Sequence, residues 1–356
     1  MTDKTSPGAV PVPTPVPTPV PAPIPASQAG YLIQIAARAP SLHNTQPWRF
    51  KVLPDAIELH ADYSRQLGID PVGRELLISC GAALYGLRLA VRSLGRTPEV
   101  ELFGEPALPP AEETRLRLLA RVRLGDPAPI TPAERKMLEA APHRHTHRGP
   151  FEPAPLPAGL LTSLQQDATT EGATLAVIDL DHVGGKLAAI LTTASHDHEL
   201  DPVSRAEILR WTRDASSPAR DGVPAHAFPA QPDRSPGCHS PGWLPQRDFD
   251  LGRGLGLLAA GGSPAAVTAV LVTVRDAEED WLRAGQALDR LLLHAASQWV
   301  FARLQTQPLE AGTIRGLIGS RLALPGVPQM LLQFGVARTA RPTGRRPAAD
   351  LTGGVS

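Results

Sequence analysis

Two short segments concentrate side chains able to bind or react. The first, Ala39-Pro40-Ser41-Leu42-His43-Asn44-Thr45-Gln46-Pro47-Trp48-Arg49-Phe50, is a polar loop bracketed by prolines. Ser41, Asn44 and Gln46 bring donors and acceptors together; they could face a ligand, or they could satisfy backbone groups in a capped turn. The second is Arg144-His145-Thr146-His147-Arg148. Two guanidiniums four residues apart, with a hydroxyl between them, can make forked, charge-assisted hydrogen bonds to a dianion. A solvated basic loop has the same composition.

Other chemistries fit less well. His143, His145 and His147, with His196 and His198, suggest zinc, but Arg144 and Arg148 would repel a cation and no thiolate or carboxylate is interleaved, so no metal is expected. A serine hydrolase would need a Gly-x-Ser-x-Gly elbow, which is missing from the sequence. Gly252, Gly254 and Gly256 fall in a loop-to-helix stretch and lack the lysine of a phosphate-binding loop. Cys80 and Cys238 are far apart and fit a reducing compartment better than a disulfide framework.

The elements that position these segments follow from periodicity. Tyr31, Leu32, Ile35 and Ala36 predict a helix over 27–39, with Ser27 as N-cap and Pro40 as stop. Residues 48–53 and 56–60 alternate around Pro54-Asp55 as paired strands, 74–94 form a long apolar helix stopped by Gly95, and 118–124 return as a strand. A second unit, 142–340, holds helices at 160–167, 182–194 and 281–304 and strands at 173–178, 266–274 and 329–335. Within it, residues 212–248 carry seven prolines and three glycines and read as a lid or insertion. The first unit spans 27–130, a proline-rich disordered spacer 1–26, and a basic tail 341–356. Gly81, Ala83, Leu84, Leu87 and Leu89 match Gly285, Ala287, Leu288, Leu291 and Leu293 at one constant offset, which suggests an internal duplication.

Positive and negative residues balance at 35 each among 356, so bulk charge draws the chain to neither nucleic acid nor an anionic membrane. Uninterrupted apolar runs fall short of the roughly 20 residues of a bilayer span. A soluble, cytoplasmic protein is expected.

The 39–50 loop carries Pro-Ser-x-x-Asn-x-Gln-Pro-Trp at a helix-to-strand junction, and here the chain resembles the nitroreductase family. It is most similar to the fused, Acg-like branch, over roughly residues 28–350, which shares the Asp-Pro-x-Gly-Arg-Glu-Leu run at 70–76 and the Trp-Leu-Arg-Ala-Gly run at 281–285. The resemblance implies an α+β, nitroreductase-like, FMN-dependent fold: two half-units fused as an intramolecular pseudo-dimer, with an antiparallel-rich sheet and the two long helices at its core. It implies a single composite flavin site. Pro40, Ser41, Asn44 and Gln46 would contact the flavin from the first unit, and Arg144, Thr146 and Arg148 would grip its phosphate. The segment Pro308, Leu309, Glu310 and Ala311 resembles the family's Pro-x-Glu-Gly turn beside the flavin N5, while Arg345 and Arg346 fall where the family places basic residues on the phosphate.

The activity so implied is FMN-dependent oxidoreduction. NADPH or NADH would pass hydride to N5, and electrons would go on to a nitroaromatic, quinone or similar small-molecule acceptor, with the cofactor carrying the chemistry. The fused halves permit a functional monomer. Two departures support an alternative, an FMN-binding or sequestering protein with little or no turnover. Asn44 is the sole asparagine, so the second unit lacks the family's pyrimidine-side Asn, and the proline-rich insertion could cover the reacting face. Ala311 also replaces the turn's glycine.

Overall fold

A computed structural model describes residues 23–102, 115–230, 244, 247–257 and 265–352. Most of the proline-rich spacer, Cys238 and the middle of the expected lid lie outside the described residues.

The first unit comprises α1 (Ala26–Ala36), β1 (Trp48–Val52), β2 (Ala56–Asp62), α2 (Arg74–Ser93), β3 (Arg96–Leu102), β4 (Leu116–Pro127) and α3 (Pro132–Ala140). Order begins earlier than the sequence suggests: Ile24 already donates its N–H to Pro54, and Pro25, not Ser27, precedes the first helical turn. Pro25 is the N-cap, extended at ψ 145°, and its carbonyl accepts the first helical bond from the Ala29 N–H. Gly95, at φ 72°, ends the long helix α2 as expected.

The second unit contains α4 (Leu160–Thr170), β5 (Thr174–Val177), α5 (Leu180–Leu200), α6 (Pro202–Trp211), the two-residue strands β6 (Thr212–Arg213) and β7 (Val223–Pro224), β8 (Val267–Thr273) and α7 (Glu278–Ala296). It continues with β9 (Val300–Gln305), α8 (Gln307–Glu310), α9 (Gly312–Arg321) and β10 (Val327–Val336), and α10 (Ala348–Thr352) packs back on the first unit against α1 and β1. The helix expected over 281–304 stops at Ala296. Trp299 takes a left-handed φ of 57° and the chain turns into β9. Both segments are rich in buried apolar residues, so apolar content could not separate the helix end from a β-branched and aromatic strand. The Gly252–Gly256 stretch is a loop, its chain wrapped around the Asp250 carboxylate, which accepts from the N–H groups of Gly254, Leu255 and Gly256, and the residues that follow it, 258–264, lie outside the described residues.

The two units repeat one plan. The first sheet runs β1-β2-β4-β3 and the second β5-β8-β10-β9, all neighbours antiparallel. In each, the principal strands therefore lie in the order first, second, fourth, third, and the long helix, α2 or α7, sits between the second and third. One connection differs strongly between the units. Residues 53–55 close the hairpin between β1 and β2, whereas the equivalent link between β5 and β8 runs from 178 to 266 and includes α5 and α6.

The long helices pack against each other at the centre of one hydrophobic core that also takes in Trp48, Phe50 and Phe334. A Cβ on Gly81 would lie 2.2 Å from the Leu282 carbonyl oxygen, and one on Gly285 would lie 2.0 Å from that of Ile78. The two glycines matched in sequence are thus neighbours at the crossing, where only hydrogen fits. Of the described helices, α2 alone is long and apolar enough to cross a membrane by length and composition, and 83% of its apolar window is buried in the protein. Counting uninterrupted apolar runs overlooks it.

Candidate functional site

A cavity that opens to solvent lies where the two units meet. The first unit contributes Pro40, Ser41, Leu42 and His43 from the loop after α1, with Glu75, Ile78 and Ser79 from the start of α2. The second contributes Thr146 and Arg148, the end of β9 with its following turn (Arg303 to Pro308), Leu288 of α7 and Met330 of β10. Leu191 and Ser195 of α5, with Arg247 and Phe249, cover it from the 178–266 excursion.

Local chemistry explains how these groups are held. The 40–47 loop is strained: His43, Asn44 and Gln46 all take left-handed φ values, of 51°, 56° and 50°. It is fixed by Ser41 Oγ, which accepts from the Gln46 N–H at 2.9 Å. Asn44 Nδ2 donates to the carbonyls of Gly222 and Gly344, and Gln46 Nε2 donates to that of Arg220 at 2.9 Å. Opposite, the 144–148 segment runs along the free edge of β9, with a bridge from Thr146 to Ala302 and the His147 N–H on the Ala302 carbonyl. His145 packs on Phe301 and His147 stacks on Phe151, while His143 stacks on Trp299 at 5.2 Å. At the start of α2, the Asp70 carboxylate accepts from the Leu76 N–H, and Arg74 reaches across to the Gln329 side chain and backbone and to the Leu309 carbonyl.

Behind the cavity lies a cluster of guanidiniums. Arg144 and Arg345 each donate to the Arg38 carbonyl, and Arg345 also donates to the Ala39 carbonyl and to Asn44 Oδ1. Arg38 Nε, Arg144 Nε and Nη1, and Arg345 Nε are shut off from solvent without a partner among the described residues. Burial, reinforced by neighbouring arginines, pulls Arg345 down to about 9 and Arg148 to about 10. The facing carboxyl, Asp289, is pushed up by burial to about 7.

A model of the nitroreductase family matches residues 20–71. Two Mycobacterium tuberculosis H37Rv proteins named "Putative NAD(P)H nitroreductase" align along most of the chain. Rv3131 is 33% identical over 331 residues, covering 90% of this chain and 89% of its own. The acg protein is 29% identical over 308 residues, covering 86% and 88%. The chain belongs to the nitroreductase family. Its relatives place it in the Acg-like branch, and its α+β architecture of two duplicated sheet units is that of a fused pseudo-dimer. A crystal structure of a nitroreductase with bound FMN from Desulfitobacterium hafniense DCB-2 aligns with 61% of this chain and 97% of its own at 13% identity and a TM-score of 0.37.

Of the residues singled out by the nitroreductase motifs, Pro40, Ser41, Thr146, Arg148 and Pro308 line the cavity, and Arg144 and Arg345 form the cluster behind it. The others point elsewhere. Asn44 and Gln46 are occupied with backbone carbonyls, as in the capped-turn alternative. Arg346 donates its backbone N–H to Gln46 Oε1 and turns its side chain outward, to the Asp350 carbonyl. Leu309 is in the core, and Glu310 is tied to Arg247 of the covering segment and to His198 of α5. Ala311 sits at φ −85°, ψ 118°, extended geometry that needs no glycine.

Motif spacing does not mark His43, Arg247, Phe249 or Arg303, all of which line the cavity, and Glu75, which also lines it, falls in the Asp-Pro-x-Gly-Arg-Glu-Leu run at 70–76 without a site role being read from it. Glu75 carries a signal, an acid in the first turn of an otherwise apolar helix. It is 3% exposed and its carboxyl is pushed up to about 7, chiefly by burial, against the opposing pull of Arg74. It can therefore hold or release a proton at the cavity wall near neutral pH.

A stability prediction follows from its sign. The folded protein keeps a proton that the unfolded chain, with its carboxyl near 4.5, has lost. The contribution is full below that value and lost as pH rises through about 7. Glu75→Gln is expected to make the fall in apoprotein Tm between about pH 5 and pH 8 shallower; a slope equal to wild type in differential scanning calorimetry would refute the assignment.

Proposed function

We propose that this chain is an FMN-dependent NAD(P)H oxidoreductase with one composite site between the units at 27–130 and 142–340. The observation that carries this reading is the guanidinium cluster. Buried N–H groups without acceptors and like charges crowded around one carboxyl are both costly, and a phosphate dianion relieves both. The cavity in front suits a flat, hydrogen-bonding ring: Pro40, Leu42, Ile78, Leu288, Leu304 and Met330 are apolar, while Ser41, Ser79, Thr146, Gln305 and Gln307 offer polar edges. The NAD(P)H nitroreductase names of Rv3131 and acg support the class of reductant.

When bound, FMN supplies a ring that accepts hydride and passes electrons on. The protein's part is position and charge. Arg144 and Arg345, steadied by the Arg38 and Ala39 carbonyls, would hold the phosphate. Arg148 keeps a positive charge between that cluster and the cavity, where it would favour an anionic reduced ring. The apolar walls exclude water, and Glu75 holds a proton at its carboxyl, available to an acceptor that must take up protons with its electrons.

Purified protein is expected to retain one FMN per chain, to bleach on anaerobic addition of NADPH or NADH, and to recover its colour with a nitroaromatic or quinone. Visible absorption follows each step. A second reading, FMN sequestration with little turnover, is favoured by the cover itself: Arg247 is bonded to the Glu310 carboxylate, and Phe249 lies 5.2 Å beneath the Arg148 guanidinium. Bound flavin that neither nucleotide bleaches would support that reading; a protein that takes up no FMN would overturn both.

A further inference from the structure

We propose that His43 recognises the electron-accepting substrate, and that it selects a planar aromatic bearing a pair of electron-rich oxygens, a nitro or carboxylate group. The inference rests on the oxidoreductase reading and adds a residue that the family motif leaves undefined, since His43 occupies one of its variable positions.

Three polar side chains of its own loop are accounted for: Ser41 by Gln46, Asn44 by Gly222, Gly344 and Arg345, Gln46 by Arg220 and Arg346. His43 is the exception. Its ring is 3% exposed and lines the cavity, and neither Nδ1 nor Nε2 has a partner among the described residues. Histidines buried for packing are normally satisfied, as His147 is by the Pro150 carbonyl. Here a loop with three residues in left-handed conformations holds an imidazole at the cavity wall with both nitrogens buried and unpartnered among the described residues, a cost that a ligand with a donor or acceptor would relieve.

The surroundings define that ligand. His43 stands on the covered side of the cavity, edge-on to Phe249 at 5.6 Å, and the charges that reach it are those of Arg247, Arg148 and His198. Burial first, and then these cations, keep the ring in its neutral form, so it has one N–H to donate and one lone pair. Arginine-rich surroundings favour oxygen acceptors, and apolar Ile78, Leu191, Leu288 and Phe249 favour a flat hydrocarbon body. A nitro or carboxylate group can take the His43 N–H on one oxygen and an arginine on the other. A purely hydrocarbon aromatic can use neither.

The test is calorimetric titration of FMN-loaded protein with p-nitrobenzoate, and with toluene as the hydrocarbon control, for wild type, His43→Leu and His43→Asn. The leucine variant removes two orphaned polar atoms, so its apoprotein Tm should be no lower than that of wild type. It is expected to weaken p-nitrobenzoate binding by about tenfold, the effect of one hydrogen bond, to leave toluene unchanged and to hold FMN affinity within about twofold. Asparagine, which tolerates positive φ and keeps a donor, should recover part of the loss. Equal p-nitrobenzoate affinity in all three proteins, or no binding by wild type, overturns the proposal. So does FMN affinity falling in step, which would assign His43 to the cofactor. If wild type takes up no FMN, the flavin reading fails, yet the same titration on the protein alone still decides the role of His43.

Discussion

Arg144→Met is expected to lower FMN affinity at least about 100-fold while leaving the apoprotein as stable as wild type, or more so. Arg144 is 4% exposed, with Nε and Nη1 unpartnered among the described residues and one donated bond, to the Arg38 carbonyl. In the apoprotein its charge is poorly compensated: burial lowers its pKa first, Asp289 opposes that, and Arg38 adds to it. Replacing such a group by an apolar side chain of similar length removes an unmet desolvation penalty. With phosphate bound, the same guanidinium would supply two charge-assisted hydrogen bonds, each contributing about 1.5–3 kcal/mol, so their loss corresponds to roughly 10²–10⁴ in affinity. Fluorescence titration of apoprotein with FMN measures it, with the exposed Arg338→Ala as control. Arg144→Met binding FMN as tightly as wild type would remove the cluster from the cofactor site.

The largest effect on stability is expected from Gly285→Ala. The added methyl would meet the Ile78 carbonyl oxygen at 2.0 Å, the Ala82 nitrogen at 2.8 Å and the Gly81 Cα at 2.8 Å. All three belong to the backbone of a helix buried on nearly every face, so no side chain can swing away. The helices must separate, opening the core that both units share. A loss of more than about 4 kcal/mol, beyond ordinary overpacking, is expected, and expression in inclusion bodies would be its extreme form. Gly316→Ala, in α9 with nothing near the added carbon, should be neutral or stabilising by up to about 1 kcal/mol. Urea denaturation distinguishes the two, and equal midpoints would show that the crossing tolerates a methyl.

Much of this fold is legible in the sequence because its signals are local. The β1–β2 hairpin, α2 with its terminal glycine, and the matched glycines at 81 and 285 each depend on neighbouring residues or on a repeat. The misplaced boundary between α7 and β9 has a physical cause: buried apolar residues run to Ala296 at the helix end and resume at Val300 in the strand, so the apolar content does not mark the three-residue turn between them. At the site, residues with a defined spacing can be found, but their directions cannot. Whether Asn44 faces a ligand or a carbonyl of residue 222 is set by a segment nearly two hundred positions away. His43, Arg247 and Phe249 have no spacing to reveal them, because a strained loop and a long excursion bring them together only in three dimensions.

The excursion from 178 to 266 replaces a turn that the first unit makes in three residues, 53–55. In an assembly of identical subunits any such insertion appears twice, and each copy must be accommodated on both sides of the symmetry axis. A chain holding both halves is free of that rule. One turn can grow into a cover while its twin stays short, and each half can lose what the other supplies. The halves also share a fixed effective concentration, so dilution, which separates subunits, leaves the walls of this cavity facing each other.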